Sequence, residues 1–217
     1  MKDYSKIKSF AKINLALNIV GKSFSLHKIE SVVSFLNLSD EILIRETNKN
    51  KHIVKFTGIF SNNIGKKNTV TNLLKILDNK KLLNNKKYEI KIKKNLPTQS
   101  GLGGGSMNAA AIFKFLIRKN NLRITKRDII KTSNLVGSDV ILGMYSKNLI
   151  LKSNGTIFPI SSSKCMHVLI VKPDFGCSTK KIFSKVKKFN NSNFNYPTKK
   201  LFSFSKLNKL SNNLELI

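Results

Sequence analysis

Residues 96–110 read Leu96-Pro-Thr-Gln-Ser-Gly-Leu-Gly-Gly-Gly-Ser-Met-Asn-Ala-Ala110. Its four glycines stand within five positions, between a predicted strand over Tyr88–Lys94 and a predicted helix from Ser106 to about Arg118. Glycine admits positive φ and close backbone approach, so several N–H groups of such a loop can point inward. The helix start adds partial positive charge, which completes an anion site. The sequence therefore predicts a phosphate-binding loop over Ser100–Ser106, where the Ser106 hydroxyl reaches a phosphate oxygen or caps the helix.

The alternative for this loop is a flexible linker or a tight turn. Linkers are seldom followed at once by an apolar helix, and residues Ala109–Phe113 form a run that must pack. The loop is not a Walker-type P-loop, because no Gly-Lys-Ser/Thr follows at the required spacing. It also lacks the acidic residue, about 20 positions on, that marks a dinucleotide-binding loop. The pattern favours phosphate binding by a loop of another kind.

The rest of the chain predicts a mixed α+β fold. Alternating apolar residues are typical of strands, and further strands are predicted over Ser5–Val20, Glu30–Leu38, Glu41–Glu46, His52–Thr57 and His167–Val171. Helical spacing predicts further helices over Asn68–Leu77, Thr125–Leu135, Ser178–Val186 and Leu207–Leu216. Thr125 is expected to be the N-cap of its helix. Asn154-Gly155 predicts a hairpin between Leu149–Lys152 and Thr156–Pro159. The Asn, Lys and Ser residues of Lys187–Ser205 predict a polar loop.

Positive charge is the most visible feature of the composition. The 217 residues carry a formal net charge of +29, from 36 Lys and 4 Arg against 11 acidic residues. A basic chain can bind nucleic acid, but Arg, which reads phosphates and bases in bidentate fashion, is scarce here. Lys mixed with Asn and Ile along the whole chain is typical of an AT-rich genome, and the charge also suits anionic nucleotides. We therefore expect a small-molecule substrate and regard a nucleic-acid partner as the weaker prediction.

The sequence predicts that several features are absent, among them membrane-spanning helices, a signal peptide and a metal site. No apolar run approaches the roughly 18 residues of a membrane-spanning helix, so no membrane association is expected. Residues 1–8 lack the apolar stretch of a signal peptide, which predicts a cytoplasmic location. Cys165 and Cys177 have neither CxxC nor metal-ligand spacing and are interpreted as reduced structural thiols. The three histidines are scattered, so no metal site is predicted.

Three segments carry a resemblance to a known family. Pro97-x-x-Ser-Gly-Leu-Gly-Gly-Gly-Ser106 resembles the second motif of the GHMP kinases, a family named for galactokinase and the homoserine, mevalonate and phosphomevalonate kinases. Ala11-Lys-Ile-Asn-Leu15 resembles the opening motif of one branch of that family, and Val136-Gly-Ser-Asp-Val140 resembles its Leu-Gly-Ala/Ser-Asp-Val motif. Weaker matches are Val171-Lys-Pro173 with Ser178-Thr179, and Asn212–Glu215. The matches are colinear from residue 11 to residue 215, and jointly they are specific.

The resemblance implies an ATP-dependent kinase that uses Mg²⁺ with its ATP. It also implies that Asp139 is the catalytic base and that Lys12 is its partner. Phosphoryl transfer needs positioning and charge stabilisation more than covalent help. A carboxylate beside the substrate hydroxyl accepts its proton, and a nearby Lys steadies the carboxylate and the developing charge. Without the motifs, Asp139 is a turn or helix-cap residue and Lys12 is one of 36 lysines.

The resemblance implies ATP contacts along the glycine loop and on the helix that precedes it in the chain. The implied residues are Pro97, Ser100, Gly101, Leu102, Gly103, Gly104, Gly105, Ser106 and Asn68. For Asn68 the alternative is a helix N-cap, and the two roles are compatible.

The matching branch phosphorylates the 2-hydroxyl of a cytidine diphosphate-linked methylerythritol, in the non-mevalonate route to isoprenoid precursors. The substrate-binding residues that the resemblance implies are Asn14, His27, Thr179 and Phe183. Leu26 stands where the branch has a tyrosine that helps to hold the cytosine, and the segment is one residue short. Phe24 is a candidate to replace that tyrosine, and Phe183 has a core residue as its alternative role. A further departure is Ile141, where the branch has proline.

The resemblance implies an α+β, GHMP kinase-like, two-domain fold. Residues 1–162 are expected to form an ATP-binding, ribosomal protein S5 domain 2-like N-terminal domain, and residues 163–217 an incomplete ferredoxin-like C-terminal domain. The family has a third glycine-rich motif near its C-terminus, and this chain stops at Ile217 before it, so we expect a truncated C-terminal domain. Three alternatives stay open: a GHMP kinase for a different alcohol, a non-catalytic basic nucleic-acid-binding protein, and an inactive fragment of a kinase.

Overall fold

The computed structural model describes residues 3–23, 26–145, 147–161, 166–172 and 179–215. The chain divides into two compact units. The first unit comprises residues 1–11, 36–98 and 102–144, and the second comprises residues 12–35, 99–101 and 145–217. The predicted domains, residues 1–162 and 163–217, follow a different division and stay a prediction.

Along the paired strands of the first unit, apolar residues alternate with charged ones. The chain opens with two long strands that contribute to both units, β1 (Ser5–Ser23) and β2 (Leu26–Thr47), and continues with β3 (Ile53–Thr57) and β4 (Lys87–Lys93). In the first unit, β2 pairs antiparallel with β4, and β4 pairs parallel with β3, while β1 pairs with β2. Ile42 lies opposite Ile92, and both side chains are fully buried. This alternation gives the sheet one buried face, as the period of two predicts.

Four helices of the first unit supply the apolar residues that cover the sheet. They are α1 (Thr69–Asn79), α2 (Gly104–Lys119), α3 (Lys126–Val136) and α4 (Val140–Tyr145). The predicted helical stripe of α1 is buried in one cluster with Phe113 of α2 and the sheet residues Ile42 and Ile92. Thr125 caps α3 as expected, because its hydroxyl oxygen accepts a hydrogen bond from the Asp128 N–H at 3.1 Å. Helix α2 begins at Gly104, two residues before the predicted start.

The second unit is built on the predicted hairpin. Strands β5 (Leu149–Leu151) and β6 (Ile157–Pro159) pair antiparallel, and β5 also pairs with residues 31–33 of β2. Short helical segments follow: α5 (Thr179–Ser184), a 3-10 helix over Lys199–Phe202, and α6 (Phe204–Leu207). The buried apolar cluster of this unit is Ala16, Val32, Ile150, Ile160, Phe194 and Phe202.

The prediction of a strand over His167–Val171 is wrong. Residues 166–172 have no regular secondary structure, and Leu169 is 88 % exposed. Apolar, β-branched sequence favours a strand only where a neighbouring ladder and a buried face accept it. In the described part of the chain, no pairing involves this segment.

The prediction of a helix over Leu207–Leu216 is also wrong. Helix α6 ends at Leu207, and the asparagine-rich segment after it bonds to β1 instead. Leu17 donates its N–H to the Ser211 carbonyl at 3.1 Å, and Asn213 donates its N–H to the Leu17 carbonyl at 2.9 Å. The Asn213 side-chain oxygen accepts from the Ile19 N–H at 2.8 Å. Asn competes with helical bonding by offering such bonds, which explains the failure.

The segment Lys187–Ser205 forms a loop, as predicted, but it also contributes to the core. Lys187–Ser205 lacks strands and α-helices up to Ser203, as a loop should, but it delivers the buried side chains of Phe194 and Phe202 to the core. Among the residues that the structure describes, no helix combines the length and apolar character needed to cross a membrane. Cys165 and Cys177 lie outside the described residues.

Candidate functional site

The glycine loop turns through left-handed backbone before it enters α2. Gln99, Gly101 and Gly103 have φ of +54°, +74° and +67°. Gly103 is the N-cap of α2, and no side chain caps that helix end. The first helical hydrogen bond runs from the Met107 N–H to the Gly103 carbonyl at 2.9 Å. The N–H groups of residues 104–106 therefore precede the helical ladder and are suited to an anion.

Gly104 and Gly105 are needed for space. A Cβ on Gly104 would lie 3.2 Å from the Lys94 Nζ and 3.5 Å from the Leu96 Cβ. A Cβ on Gly105 would lie 3.1 Å from the Thr69 Oγ1. The contacts at 3.2 and 3.1 Å are tighter than most Cβ contacts, while the one at 3.5 Å is ordinary, so the loop is packed closely on its neighbours. The run of glycines thus serves backbone conformation at Gly103 and close packing at the two residues after it.

A buried ion pair supports the base of this loop. The Lys94 ammonium bonds to an oxygen of the Asp40 carboxylate, and these residues are 3 % and 0 % exposed. The other Asp40 oxygen accepts from the backbone N–H groups of Asn95 and Leu96, at 2.8 and 2.9 Å. The carboxylate therefore holds both the lysine under Gly104 and the chain that leads into the loop. Because both carboxylate oxygens are hydrogen-bonded, the pair is of the kind that a protein interior tolerates.

Sequence reasoning missed Lys94, Asp40 and Thr69. Lys94 is one of 36 lysines, and Asp40 lies 54 positions away in the sequence. The one local signal is that Lys94 closes the strand that enters the loop. Thr69 Oγ1 donates to the Gly105 carbonyl at 2.8 Å, and the residues next to Thr69 in the sequence give no sign of that bond.

Asn68 forms the cap that was one of its two expected roles. Its side-chain oxygen accepts from the N–H groups of Val70 and Thr71, both at 3.1 Å, while Thr71 Oγ1 accepts from the Asn68 N–H at 3.0 Å. This reciprocal pattern is a capping box. Asn68 also lines a cavity of about 500 Å³ between β3 and α1, together with His52, Phe56, Ile64, Lys66 and Asp78. Its second expected role, contact with the ATP nucleoside, stays a prediction.

The turn that carries Asp139 lies beside the glycine loop. A Cβ on Gly137 would be 3.8 Å from the Ser106 Oγ, so this glycine packs against the first turn of α2. The Val140 N–H donates to the Gly137 carbonyl at 3.1 Å, which closes the turn before α4. Asp139 is half-buried within it. Two motifs that are far apart in sequence, the glycine loop and the Gly-Ser-Asp turn, are therefore neighbours in the first unit.

Lys12 and Asn14 belong to the second unit, on β1. Lys12 is 5 % exposed, and its Nζ lies 3.5 Å from the Asn14 Oδ1, a long contact. The Ser31 hydroxyl lies 3.3 Å from the same oxygen and donates to the Ala16 carbonyl at 2.7 Å. The side chains of this strand are thus held on a buried polar face. The same alternation of strand positions puts Lys12 and Asn14 on one side.

The structure brings together two of the predicted substrate-binding rings. The His27 and Phe183 ring centroids lie 5.2 Å apart with a 44° tilt, within the second unit. Thr179 begins α5, but its side chain and that of Leu26 lie outside what the structure describes, as does Phe24. In the loop, Pro97 and Ser100 are half-buried, and Leu102 is buried.

In the described ranges, no group of three or more His, Cys, Asp or Glu side chains is arranged to hold a metal ion. The loop itself carries the Ser106 hydroxyl, and Asp139 belongs to the turn that packs against it through Gly137. Such a set suits an ion that arrives with nucleotide phosphates, since Mg²⁺ commonly keeps several waters and takes only one or two protein oxygens.

Residues 68–147 match the family model described as GHMP kinases N terminal domain. The match begins at the α1 cap and includes the glycine loop and the Asp139 turn. Solved structures agree on the fold. The chain is similar to a 4-(cytidine 5'-diphospho)-2C-methyl-D-erythritol kinase, with a TM-score of 0.58, 19 % identity, and coverage of 72 % of this chain and 55 % of that one. For homoserine kinase from Cytophaga hutchinsonii the TM-score is 0.59, at 18 % identity and coverage of 88 % and 62 %.

Curated relatives are closer in sequence. The 4-diphosphocytidyl-2-C-methyl-D-erythritol kinase of Pelagibacter ubique is 54 % identical over 212 residues, which cover 98 % of this chain and 75 % of the relative. The enzyme of the same name from Thermoanaerobacter pseudethanolicus is 31 % identical, over 85 % of this chain and 63 % of the relative. The resemblance and the α+β fold predicted from the motifs are thereby confirmed, and the chain belongs to the GHMP kinase family, in the branch of the 4-diphosphocytidyl-2-C-methyl-D-erythritol kinases.

Proposed function

We propose that this protein uses ATP to phosphorylate the 2-hydroxyl of 4-diphosphocytidyl-2-C-methyl-D-erythritol. The function predicted from the sequence agrees with the names of its curated relatives. One structural observation supports it most strongly: the Gly137–Asp139 turn packs on Ser106 of the glycine loop. A loop suited to phosphate and a carboxylate suited to proton abstraction therefore occupy one region of the first unit.

The glycine loop is proposed to hold the ATP phosphates. The N–H groups of residues 104–106 stand before the helical ladder, and the α2 dipole adds positive potential at that end. The Ser106 hydroxyl supplies one more donor beside them. Preorganised donors of this kind stabilise the charge of the transferring phosphoryl group at little reorganisation cost.

The nucleoside of ATP is proposed to occupy the cavity between β3 and α1. Its volume of about 500 Å³ falls in the usual range of small-molecule pockets. Among the lining residues, Phe56 and Ile64 offer apolar surface, and Lys66 and Asn68 offer polar groups. Because Thr69 is hydrogen-bonded to Gly105, the helix that lines the cavity is tied to the phosphate loop.

Asp139 is proposed to accept the proton of the substrate hydroxyl as that oxygen attacks the γ-phosphorus of ATP, while the bond from this phosphorus to the bridging oxygen breaks and ADP leaves. Lys12 is proposed to steady the developing charge, and Asn14 to orient the substrate. A general base of this kind contributes typically 10²–10⁴-fold to a rate. Mg²⁺, when bound with the nucleotide, would neutralise phosphate charge, and the Ser106 hydroxyl would be a protein oxygen available to hold it at the loop.

The test is ATP consumption by purified protein, with and without 4-diphosphocytidyl-2-C-methyl-D-erythritol. Asp139→Asn is the diagnostic variant, and Asp128→Asn, a change of the same kind at the start of α3, is its matched control. We expect turnover that requires the alcohol, survives Asp128→Asn and falls at least about 100-fold in Asp139→Asn.

Two other outcomes would contradict the substrate or the kinase activity. Turnover with a different alcohol would contradict the substrate and retain the kinase. Absence of ATP binding, with a steeply salt-dependent affinity for RNA, would contradict the kinase proposal and favour the basic nucleic-acid-binding alternative.

A further inference from the structure

A third aromatic ring joins the pair that the sequence predicted. The Phe189 ring centroid lies 6.3 Å from that of His27 with a 52° tilt, while Phe183 lies 5.2 Å from the same histidine. All three residues belong to the second unit. His27 stands near the start of β2, Phe183 on α5, and Phe189 five residues beyond the end of that helix. Phe189 falls in the segment that was predicted to be only a polar loop.

The backbone beside Phe189 is hydrogen-bonded to β1, and the Phe189 ring is partly exposed to solvent. The next residue, Asn190, donates its N–H to the Ile19 carbonyl of β1 at 2.9 Å, which fixes the chain at this point. The Phe189 side chain is nevertheless 49 % exposed. Exposed aromatic surface of this size is unfavourable in water, and a planar ligand stacked on it would remove that surface from solvent.

Phe183 and His27 supply the other elements of a base site. Both are half-buried, so they are more firmly packed than Phe189. The imidazole of His27 has two nitrogens, one donor and one acceptor when neutral, which suit the edge of a pyrimidine base. Stacking gives affinity without choosing a base, because every base has a π face. Edge bonding by the histidine gives the choice.

We propose that Phe189 is a further substrate-binding residue, whose exposed face stacks on the pyrimidine base of a nucleoside diphosphate while His27 bonds to the edge of that base. This role rests on the proposed function and deepens it. Phe189 brings a ring to His27 from a different point in the sequence than Phe183 does. Lys185, Lys187 and Lys188 are exposed on the same segment and suit the diphosphate.

The direct test uses a new fluorophore. The chain contains no Trp, so Phe189→Trp introduces a single indole at the proposed stacking position. Titration with cytidine 5′-diphosphate, followed by indole fluorescence, reports contact between base and ring. Tyr196→Trp is the matched control, because Tyr196 lies in the same segment and is 94 % exposed. We expect saturable quenching in Phe189→Trp and none in Tyr196→Trp.

The energetic test replaces the ring by an aliphatic side chain. Phe189→Leu is expected to weaken binding of cytidine 5′-diphosphate and to raise the KM for the cytidine substrate, each by roughly 5- to 150-fold. The KM for ATP should stay within about twofold, and Phe189→Tyr should restore affinity because it keeps the ring. Tyr196→Leu is the control for loss of an exposed ring.

Three results separate this inference from the proposed function. Unchanged cytidine diphosphate affinity in Phe189→Leu, or equal quenching in the two Trp variants, overturns the inference alone. If Phe189→Leu fails to fold, the fluorescence titration still decides. Saturable quenching in a protein that does not turn over the methylerythritol substrate would contradict the proposed function and leave the base site standing.

Discussion

Thr69 Oγ1 donates a hydrogen bond to the Gly105 carbonyl at 2.8 Å, which ties the first residue of α1 to the first turn of α2. The same oxygen lies 3.1 Å from where a Gly105 Cβ would be, so the two chains touch closely at this point. The two helices are joined where the nucleotide is proposed to bind. A hydroxyl that engages the loop backbone thus sets how that loop sits against α1.

Thr69→Val keeps the shape of the side chain and removes the donor. We expect a loss of about 0.5–1.5 kcal/mol in the free energy of unfolding, the usual net value of one hydrogen bond. The KM for ATP should rise several-fold, because the loop is no longer fixed to α1. Denaturant melts and ATP titrations measure the two effects.

Thr125→Val provides the control for this bond. It removes the cap of α3, which costs a similar amount of stability, and leaves the bond from Thr69 to Gly105 in place. If both variants raise the KM for ATP equally, the effect follows from general destabilisation, and the role assigned to Thr69 is wrong.

The Lys94–Asp40 pair predicts a larger loss. Lys94→Met leaves the Asp40 carboxylate, which is 0 % exposed, without its cation. Breaking a buried pair from one side costs about 3–5 kcal/mol, so the urea midpoint should fall sharply. Lys93→Met, at the exposed neighbouring residue, should change the free energy of unfolding by less than about 0.5 kcal/mol. Equal midpoints for the two variants would show that the pair contributes nothing to stability.

Gly103→Ala tests the left-handed backbone at the entrance to α2. An alanine at φ +67° costs about 1–2 kcal/mol. Gly155→Ala imposes the same kind of cost at φ +80° in the β5–β6 turn, where a Cβ meets nothing within 4 Å. We expect similar losses of stability in the two variants but weakened ATP binding in Gly103→Ala alone. Calorimetric titration with ATP makes the comparison. Retained affinity in Gly103→Ala would show that ATP binding does not need the left-handed backbone of the loop at this residue.

Features with local causes were predictable from the sequence. The helical stripe of α1, the caps at Asn68 and Thr125, and the Asn154-Gly155 hairpin each depend on residues within a few positions of one another. The glycine loop was located for the same reason, since strand, glycines and helix are consecutive. Its start was placed two residues late because Gly104 and Gly105 are poor helix formers that the tertiary packing accepts.

Features with distant causes were not predictable. The bond from Lys94 to Asp40 spans 54 positions, and the contact of Phe189 with His27 joins segments that have no shared motif. The segment after α6 was expected to be helical, yet its backbone bonds to Leu17 of β1. In each case the partner residue is far away in the sequence, so the local pattern of apolar and polar residues cannot predict the contact.

Glu30 also bonds to residues that are distant in the sequence, and its carboxylate leads to a prediction about pH. Its carboxylate is 0 % exposed and accepts from the Asn18 side chain at 2.9 Å, the Ser192 hydroxyl at 2.7 Å, and the N–H groups of Asn193 and Phe194 at 2.6 and 3.0 Å. Burial by itself would raise the pKa of Glu30, but these hydrogen bonds to the ionised form outweigh it and lower the pKa below its ordinary value. The carboxylate therefore holds the 192–194 segment to β2.

A lowered pKa in the folded state means that Glu30 stabilises the fold above the ordinary pKa of about 4.5, and that this stability is lost as the pH falls through the lower folded value. Glu30→Gln should therefore be less stable than the wild type at pH 7, and the difference should shrink as the pH falls below about 4.5. Glu215→Gln, at an exposed residue, should follow the wild type throughout. Urea unfolding at pH 7, 5 and 3.5 measures the three curves. A constant gap between Glu30→Gln and the wild type across these pH values would mean that the carboxylate charge is not what holds residues 192–194.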